Sequence, residues 1–215
     1  MKNTENNAVY CNVFKNVGFI SSTLTEEQLK PLKEEIDEIQ SDFTKAESKN
    51  YDLVGHLKNQ YKLKKSTKHL EKLILPLINV YDGSFPTYLN GFSFLTRGIP
   101  FTLSNAWVNF QQKNEFNPPH VHNGVFSFVI YIKIPFSIKD EIKMFPDAKQ
   151  KLGANFTFVF TNSLGNLIQH YIPVDKTYEN TILFFPASMM HYVNPFYSSD
   201  DYRISVSGNI LLNSN

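Results

Sequence analysis

The chain has 215 residues, 42% of them hydrophobic and 19% charged, and a net charge of +1 at pH 7. That is enough material for a buried core, and it excludes a disordered chain and the clustered basic excess of a nucleic-acid-binding protein. The single cysteine, Cys11, excludes an internal disulfide and fits a reducing compartment. It lies in an alternating segment with no histidine nearby, which is not the setting of a catalytic thiol. No apolar run approaches the roughly 20 residues of a membrane span, and "MKNTENNAVY" lacks the apolar core of a signal peptide. The expectation is a cytoplasmic protein with neither a membrane nor a nucleic-acid partner.

In chain order, residues 8–20, "AVYCNVFKNVGFI", read as one or two short strands. In "LTEEQLKPLKEEIDEIQSDF", Leu29, Leu32, Ile36 and Ile39 fall on one helical face. Thr25 with Gln28 forms a capping box there, and Pro31 should kink or restart the helix. A second helix is expected over "STKHLEKLILPLINVY", with Ser66 as N-cap and Leu70, Leu73, Ile74, Leu77, Ile78 and Tyr81 as its apolar face. The lysines of "YKLKKSTKHLEK" read as a solvated face at its start.

From about Asn105 the texture changes. Short β-branched and aromatic runs alternate with turn residues: "AWVNFQQ", "VFSFVIYIKI", "NFTFVFTN", "NLIQHYIPV", "TILFFP", "MMHYVNPF" and "YRISVSGNILL". The "SLG" at 163–165 reads as a hairpin turn. The chain has 19 Phe and 11 Tyr, and the half that holds most of them has the side chains that suit pleated, half-buried surfaces. Helices followed by strands make the fold class α+β, with helices buttressing a sandwich, barrel or jelly roll. One domain over 1–215 is expected, with supporting elements in 1–100 and the β core in 101–215. The loop between Ser137 and Lys151 reads as a lid.

His120 and His122 in "NPPHVHNGVFSFVIYIKIP" are two apart, so on a strand they share a face, and imidazole is the commonest ligand for divalent transition metals. Alone, such a pair is more often surface or packing. His191 opens a further strand after a Phe-Pro turn, and Arg203 and Ser205 follow, again two apart. An arginine facing into a β core needs an anion, and its planar fork suits a carboxylate; a surface pair with Asp200 or Asp201 is the competing reading. His56, His69 and His170 read as packing or solvent residues. Glu115 and Asn117 read as turn residues, Asn209 as a group supporting the site, and Gly124 and Gly208 as bulge or close-packing positions.

The order His-x-His, distant His, then Arg-x-Ser resembles the iron(II)/2-oxoglutarate-dependent oxygenase superfamily, in its prolyl-4-hydroxylase-like branch. Within that branch it is similar to a group often carried by bacteriophages, through the blocks around "FNPPHVH", "SFVIYIKIP" and "RISVSGN". The resemblance spans about residues 105–212. It implies a double-stranded β-helix with iron(II) at one open end, held by His120, His122 and His191. It also implies Arg203 and Ser205 on the far carboxylate of 2-oxoglutarate, assisted by Tyr131 and, at a second position, Asn109. The cofactors implied are iron(II), 2-oxoglutarate and dioxygen, with ascorbate as an assisting reductant. The implied activity is hydroxylation of a peptidyl or small-molecule substrate with decarboxylation of 2-oxoglutarate to succinate. His122 departs from the family pattern, which usually places Asp or Glu there. That departure leaves two alternatives: a non-catalytic, metal-binding, cupin-like module or viral accessory protein, and a three-histidine dioxygenase that needs no keto acid.

Overall fold

Alternation along Arg203–Leu212 organises the molecule. Ile204, Val206, Gly208 and Ile210 face one side and are buried, while Arg203, Ser205, Ser207 and Asn209 face the other. The computed structural model describes residues 16–92 and 99–213; Cys11 and most of the strand expected over 8–20 lie outside them. The elements in order are β1 Ile20–Thr23, α1 Glu26–Ser41, β2 Asn59–Lys62, α2 Thr67–Ile74, α3 Pro76–Ser84, α4 Pro86–Asn90, β3 Phe101–Gln111, β4 Asn117–His120 and β5 Phe126–Lys133. There follow α5 Ile138–Met144, β6 Phe156–Thr161, β7 Leu167–Ile172, β8 Thr181–Pro186, β9 Met190–Val193 and β10 Arg203–Leu212.

The strands form two antiparallel sheets, a six-stranded one ordered β1-β8-β5-β10-β3-β2 and a four-stranded one ordered β4-β9-β6-β7. This is the α+β double-stranded β-helix that the sequence resemblance implies. Three of the four edge strands are short, with four residues each in β1, β2 and β4, and β4 carries Pro118 and Pro119, which a sheet tolerates only where no ladder N–H is needed.

One apolar core lies between the helices and the outer face of the large sheet, where Leu29, Leu32, Ile36, Leu70, Ile74 and Tyr81 meet Val108, Phe110, Phe126, Ile130 and Val206. Burying each large side chain stabilises the fold by about 1.5–3 kcal/mol. A second core, around Phe136, Phe156, Phe158, Phe185 and Phe196, fills part of the space between the sheets. The rest of that space holds the polar faces of β3 and β10.

The Thr25–Gln28 capping box is present, and α1 runs unbroken through Pro31. The single helix expected after Ser66 is two, because Pro76 cannot donate to the preceding turn and instead opens α3 at its first position. Ser66 is not a side-chain cap. Its hydroxyl donates to Glu35, whose carboxylate also accepts the backbone N–H groups of Lys64, Lys65 and Ser66 at 2.7–2.9 Å. The segment expected to be a lid holds α5, capped by Ser137. The buried Glu141 ties it to the backbone of Tyr197 and Ser198, and none of it lines the cavity. No helix among the described residues is long and apolar enough to cross a membrane.

Candidate functional site

A cavity of about 440 Å³ opens between the sheets. At its wall three imidazoles converge, because β4 and β9 are antiparallel neighbours with His120 and His191 in register. His122 follows just beyond β4, where its backbone N–H donates to Ala187 O at 2.8 Å. The ring centroids are 4.3 Å apart for His120 and His191, 4.8 Å for His120 and His122, and 5.0 Å for His122 and His191. One ligand atom from each lies within 4.8 Å of the others.

His120 Nδ1 lies 2.7 Å from Pro118 O, and His191 Nδ1 lies 2.9 Å from Met189 O. A carbonyl only accepts, so each Nδ1 carries the proton and each Nε2 keeps a free lone pair, the tautomer a metal requires. Burial holds all three pKa values below the ordinary imidazole value. The Pro118 carbonyl partly opposes this at His120; the neighbouring His120 deepens it at His122, which is pushed down to about 4. His191, 4% exposed and beside the other two rings, is well below. At neutral pH the three are therefore uncharged donors, and they fit a divalent transition ion.

Arg203 is 2% exposed, with its guanidinium carbon 5.7 and 5.6 Å from the ring centroids of Phe136 and Phe196, which stack on each other beside it. Nε and Nη2 both donate to Gln111 Oε1, at 3.0 and 2.6 Å, Nη1 donates to Ala154 O, and Nη2 also reaches Asn194 O. Burial lowers its pKa to about 10, so it stays charged. No carboxylate lies within ion-pair distance among the described residues; Asp200 and Asp201 pair with Lys113 and Lys133 instead.

Beside Arg203, one polar row crosses four strands in register: Gln60 on β2, Asn109 on β3, Ser205 on β10 and Tyr131 on β5. Asn109 Oδ1 accepts from Gln60 Nε2 at 2.9 Å, and its Nδ2 donates to Ser205 and Ser207 at 3.3 and 3.4 Å. Tyr131 lines the cavity, and burial raises its hydroxyl pKa.

The structure thus brings together every site residue expected from the sequence: His120, His122, His191, Arg203, Ser205, Tyr131 and Asn109 all line one cavity. His56, His69 and His170 stay outside it, against Phe116, Gln28 O and Phe19 respectively. The sequence reading missed Gln60 and Gln111. Gln111 was within reach, two positions after Asn109 on the same face of β3; Gln60 sits in a short strand that polar residues conceal.

Comparison with known proteins bears on the fold and the family. Residues 105–209 match the family model described as "Putative 2OG-Fe(II) oxygenase". Among solved structures, a prolyl-4-hydroxylase from Pseudomonas putida superposes with a TM-score of 0.54 at 13% identity, over 92% of this chain and 94% of that one. AviO1 from Streptomyces viridochromogenes gives 0.52 at 10% identity, over 92% and 90%. HygX from Streptomyces hygroscopicus, solved with iron bound, gives 0.51 at 10% identity, over 92% and 83%. These structural likenesses are likenesses of fold. No curated protein matches the sequence.

Residues 105–209, the stretch that carries the three histidines and Arg203, are thus similar to the iron(II)/2-oxoglutarate-dependent oxygenases, and the fold of the chain is the one that family uses.

Proposed function

We propose that His120, His122 and His191 hold the iron(II) through their Nε2 atoms and that Arg203 receives the far carboxylate of 2-oxoglutarate. The observation that carries this reading is the pairing of two unmet demands in one cavity: three neutral imidazoles with converging donors, and a buried cation whose closest partner is an amide. Gln111 and the carbonyls of Ala154 and Asn194 accept the Arg203 hydrogen bonds without neutralising the charge, and a buried unpaired charge is costly. A carboxylate arriving from the cavity removes that cost. Tyr131 and Ser205 offer hydroxyls to the same group, while Asn109, whose hydrogen bonds go to Gln60, Ser205 and Ser207, orients the serines.

Iron(II) with 2-oxoglutarate supplies dioxygen activation, coupled to decarboxylation of the keto acid to succinate. The chain's part is to bind, orient and shield. His120 and His191 are fixed by their carbonyl partners, and Phe156 and Phe185 stack on or against His191 at 5.3 and 4.9 Å, keeping water from its flank. The reaction proposed is hydroxylation of a peptidyl or small-molecule substrate, in the cytoplasm; if a phage carries the gene, that cytoplasm is the host's. Ascorbate would serve as reductant. His122 in place of a carboxylate makes the metal site one charge more positive than the usual pattern, and this favours a keto acid whose two carboxylates balance it.

The test is titration of the purified chain with 2-oxoglutarate under anaerobic iron(II), followed by succinate formation on admission of oxygen. Saturable binding that disappears in Arg203→Ala, with iron binding retained, is expected. Unchanged 2-oxoglutarate affinity in that variant would remove Arg203 from the site.

A further inference from the structure

The cavity does not end at the groups assigned to iron and 2-oxoglutarate. Along β10 its wall runs from Arg203 through Ser205 and Ser207 to Asn209, about 20 Å at roughly 3.3 Å per residue. Trp107, paired with Ser207, stands level with the histidines, its indole 6.1 Å from the His122 ring. The next row, on the side away from Arg203, is Asn105, Asn209 and Ser127, again in register across three strands. Here the side-chain oxygens Asn105 Oδ1 and Asn209 Oδ1 are buried and have no hydrogen-bond partner among the described protein groups. Ser207 accepts from Asn109 and so keeps its own proton available.

Such a lining discriminates by charge. Apart from Arg203 and the three histidines, the titratable side chains lining the cavity among the described residues are Lys49 and Asp52 and the buried Tyr131. Lys49 and Asp52 are paired with each other at 2.6 Å near the mouth. A phosphate or carboxylate on a substrate finds no free cation there, and an ammonium no free carboxylate. Amides and hydroxyls offer both donors and acceptors, and a hydroxyl, which donates and accepts through one small atom, is an uncharged ligand group that matches both. The volume also falls among small-molecule sites, about 300–1,000 Å³, rather than open grooves for chains.

We propose that the Asn105–Asn209–Ser207 end of the cavity is the substrate subsite, and that it takes an uncharged polyhydroxylated small molecule of sugar or cyclitol type. The indole of Trp107 serves as its apolar wall. This rests on the placement of iron and 2-oxoglutarate proposed above.

The test uses the full chain with iron(II) and 2-oxoglutarate without oxygen, and the same chain without co-substrate. Binding of glucose, methyl glucoside, lactose and myo-inositol is compared by ligand-observed NMR and calorimetry with that of glucose 6-phosphate, glucuronate and an Ala-Pro-Gly peptide. Neutral sugars or cyclitols should bind, and Asn105→Leu and Asn209→Leu should each weaken them by about tenfold, the loss of one or two buried hydrogen bonds. In both variants 2-oxoglutarate affinity should stay within about twofold, since it is held at the other end. Tighter binding of the phosphate, the uronate or the peptide would overturn the proposal, as would neutral ligands that ignore both variants or fail to bind in either condition. If 2-oxoglutarate itself does not bind, the co-substrate reading fails, and the co-substrate-free arm still decides the subsite.

Discussion

Arg203 carries a full charge beside two stacked phenylalanine rings, and the identity of the group opposite decides what the charge is for. Gln111 accepts two of its hydrogen bonds and brings no charge. Replacing that amide with a carboxylate, Gln111→Glu, should neutralise Arg203 from within the protein and compete with the incoming keto acid. The expected outcome is a fall in 2-oxoglutarate affinity of about tenfold or more with iron affinity retained, read by calorimetry; a buried charge pair that forms in the free protein must be broken on binding. Unaltered affinity in this variant would mean that the guanidinium meets its anion elsewhere. The sequence made Arg203 conspicuous through its place in an apolar strand, but it could not show that Gln111 is the partner. That pairing depends on β3 and β10 being neighbours in a particular register.

Elements are held in place by a few polar joints. Glu35 on α1 receives four hydrogen bonds from the entry to α2. Burial pushes its carboxyl pKa up, but the Ser66 hydroxyl and three backbone N–H groups outweigh this and bring it below the ordinary 4.5. A folded value below the unfolded one gives stability that is present above the unfolded value and is lost as pH falls through the folded one. Glu35→Gln should therefore cost about 1–3 kcal/mol near pH 7. In urea melts at a series of pH values, its deficit against the parent should shrink once pH drops below 4.5; a deficit that stays constant would refute the linkage. Gly208 makes a second joint. A Cβ there would lie 2.7 Å from Asn105 O and from the Phe128 ring, so Gly208→Ala should destabilise by about 1–3 kcal/mol through overpacking, seen as a lower urea midpoint. Helix periodicity found α1 and its cap but merged α2 with α3, because an apolar stripe continues across Pro76 while the backbone cannot. β2 escaped notice because a short polar edge strand owes its existence to the neighbour it pairs with, and the strand read through His120 and His122 ends at His120.

For the whole molecule, the two cores divide the labour. The helix-backed core stabilises the large sheet from outside, which leaves the inner faces of β3 and β10 able to carry amides and hydroxyls around a cavity. Metal binding should add to this stability by mass action. At iron(II) or a redox-inert divalent surrogate about 100 times above its dissociation constant, the gain is about 2.7 kcal/mol, or several degrees in melting temperature. Chelator should reverse it, and His191→Ala should abolish it; a melting temperature indifferent to divalent metals would remove the three-histidine site. By itself the sequence determined the class of fold, through its change from helical to alternating texture, and it singled out His120, His122, His191 and Arg203 as candidates through their order along the chain and the resemblance that order carries. Tertiary structure decided the rest. Strand register set Gln60, Asn109, Ser205 and Tyr131 in one row and Asn105 opposite Asn209, and the Glu141 bonds to Tyr197 and Ser198 held α5 off the cavity lining. Such pairings are made between segments far apart in the chain, and local propensity carries no information about which segments meet.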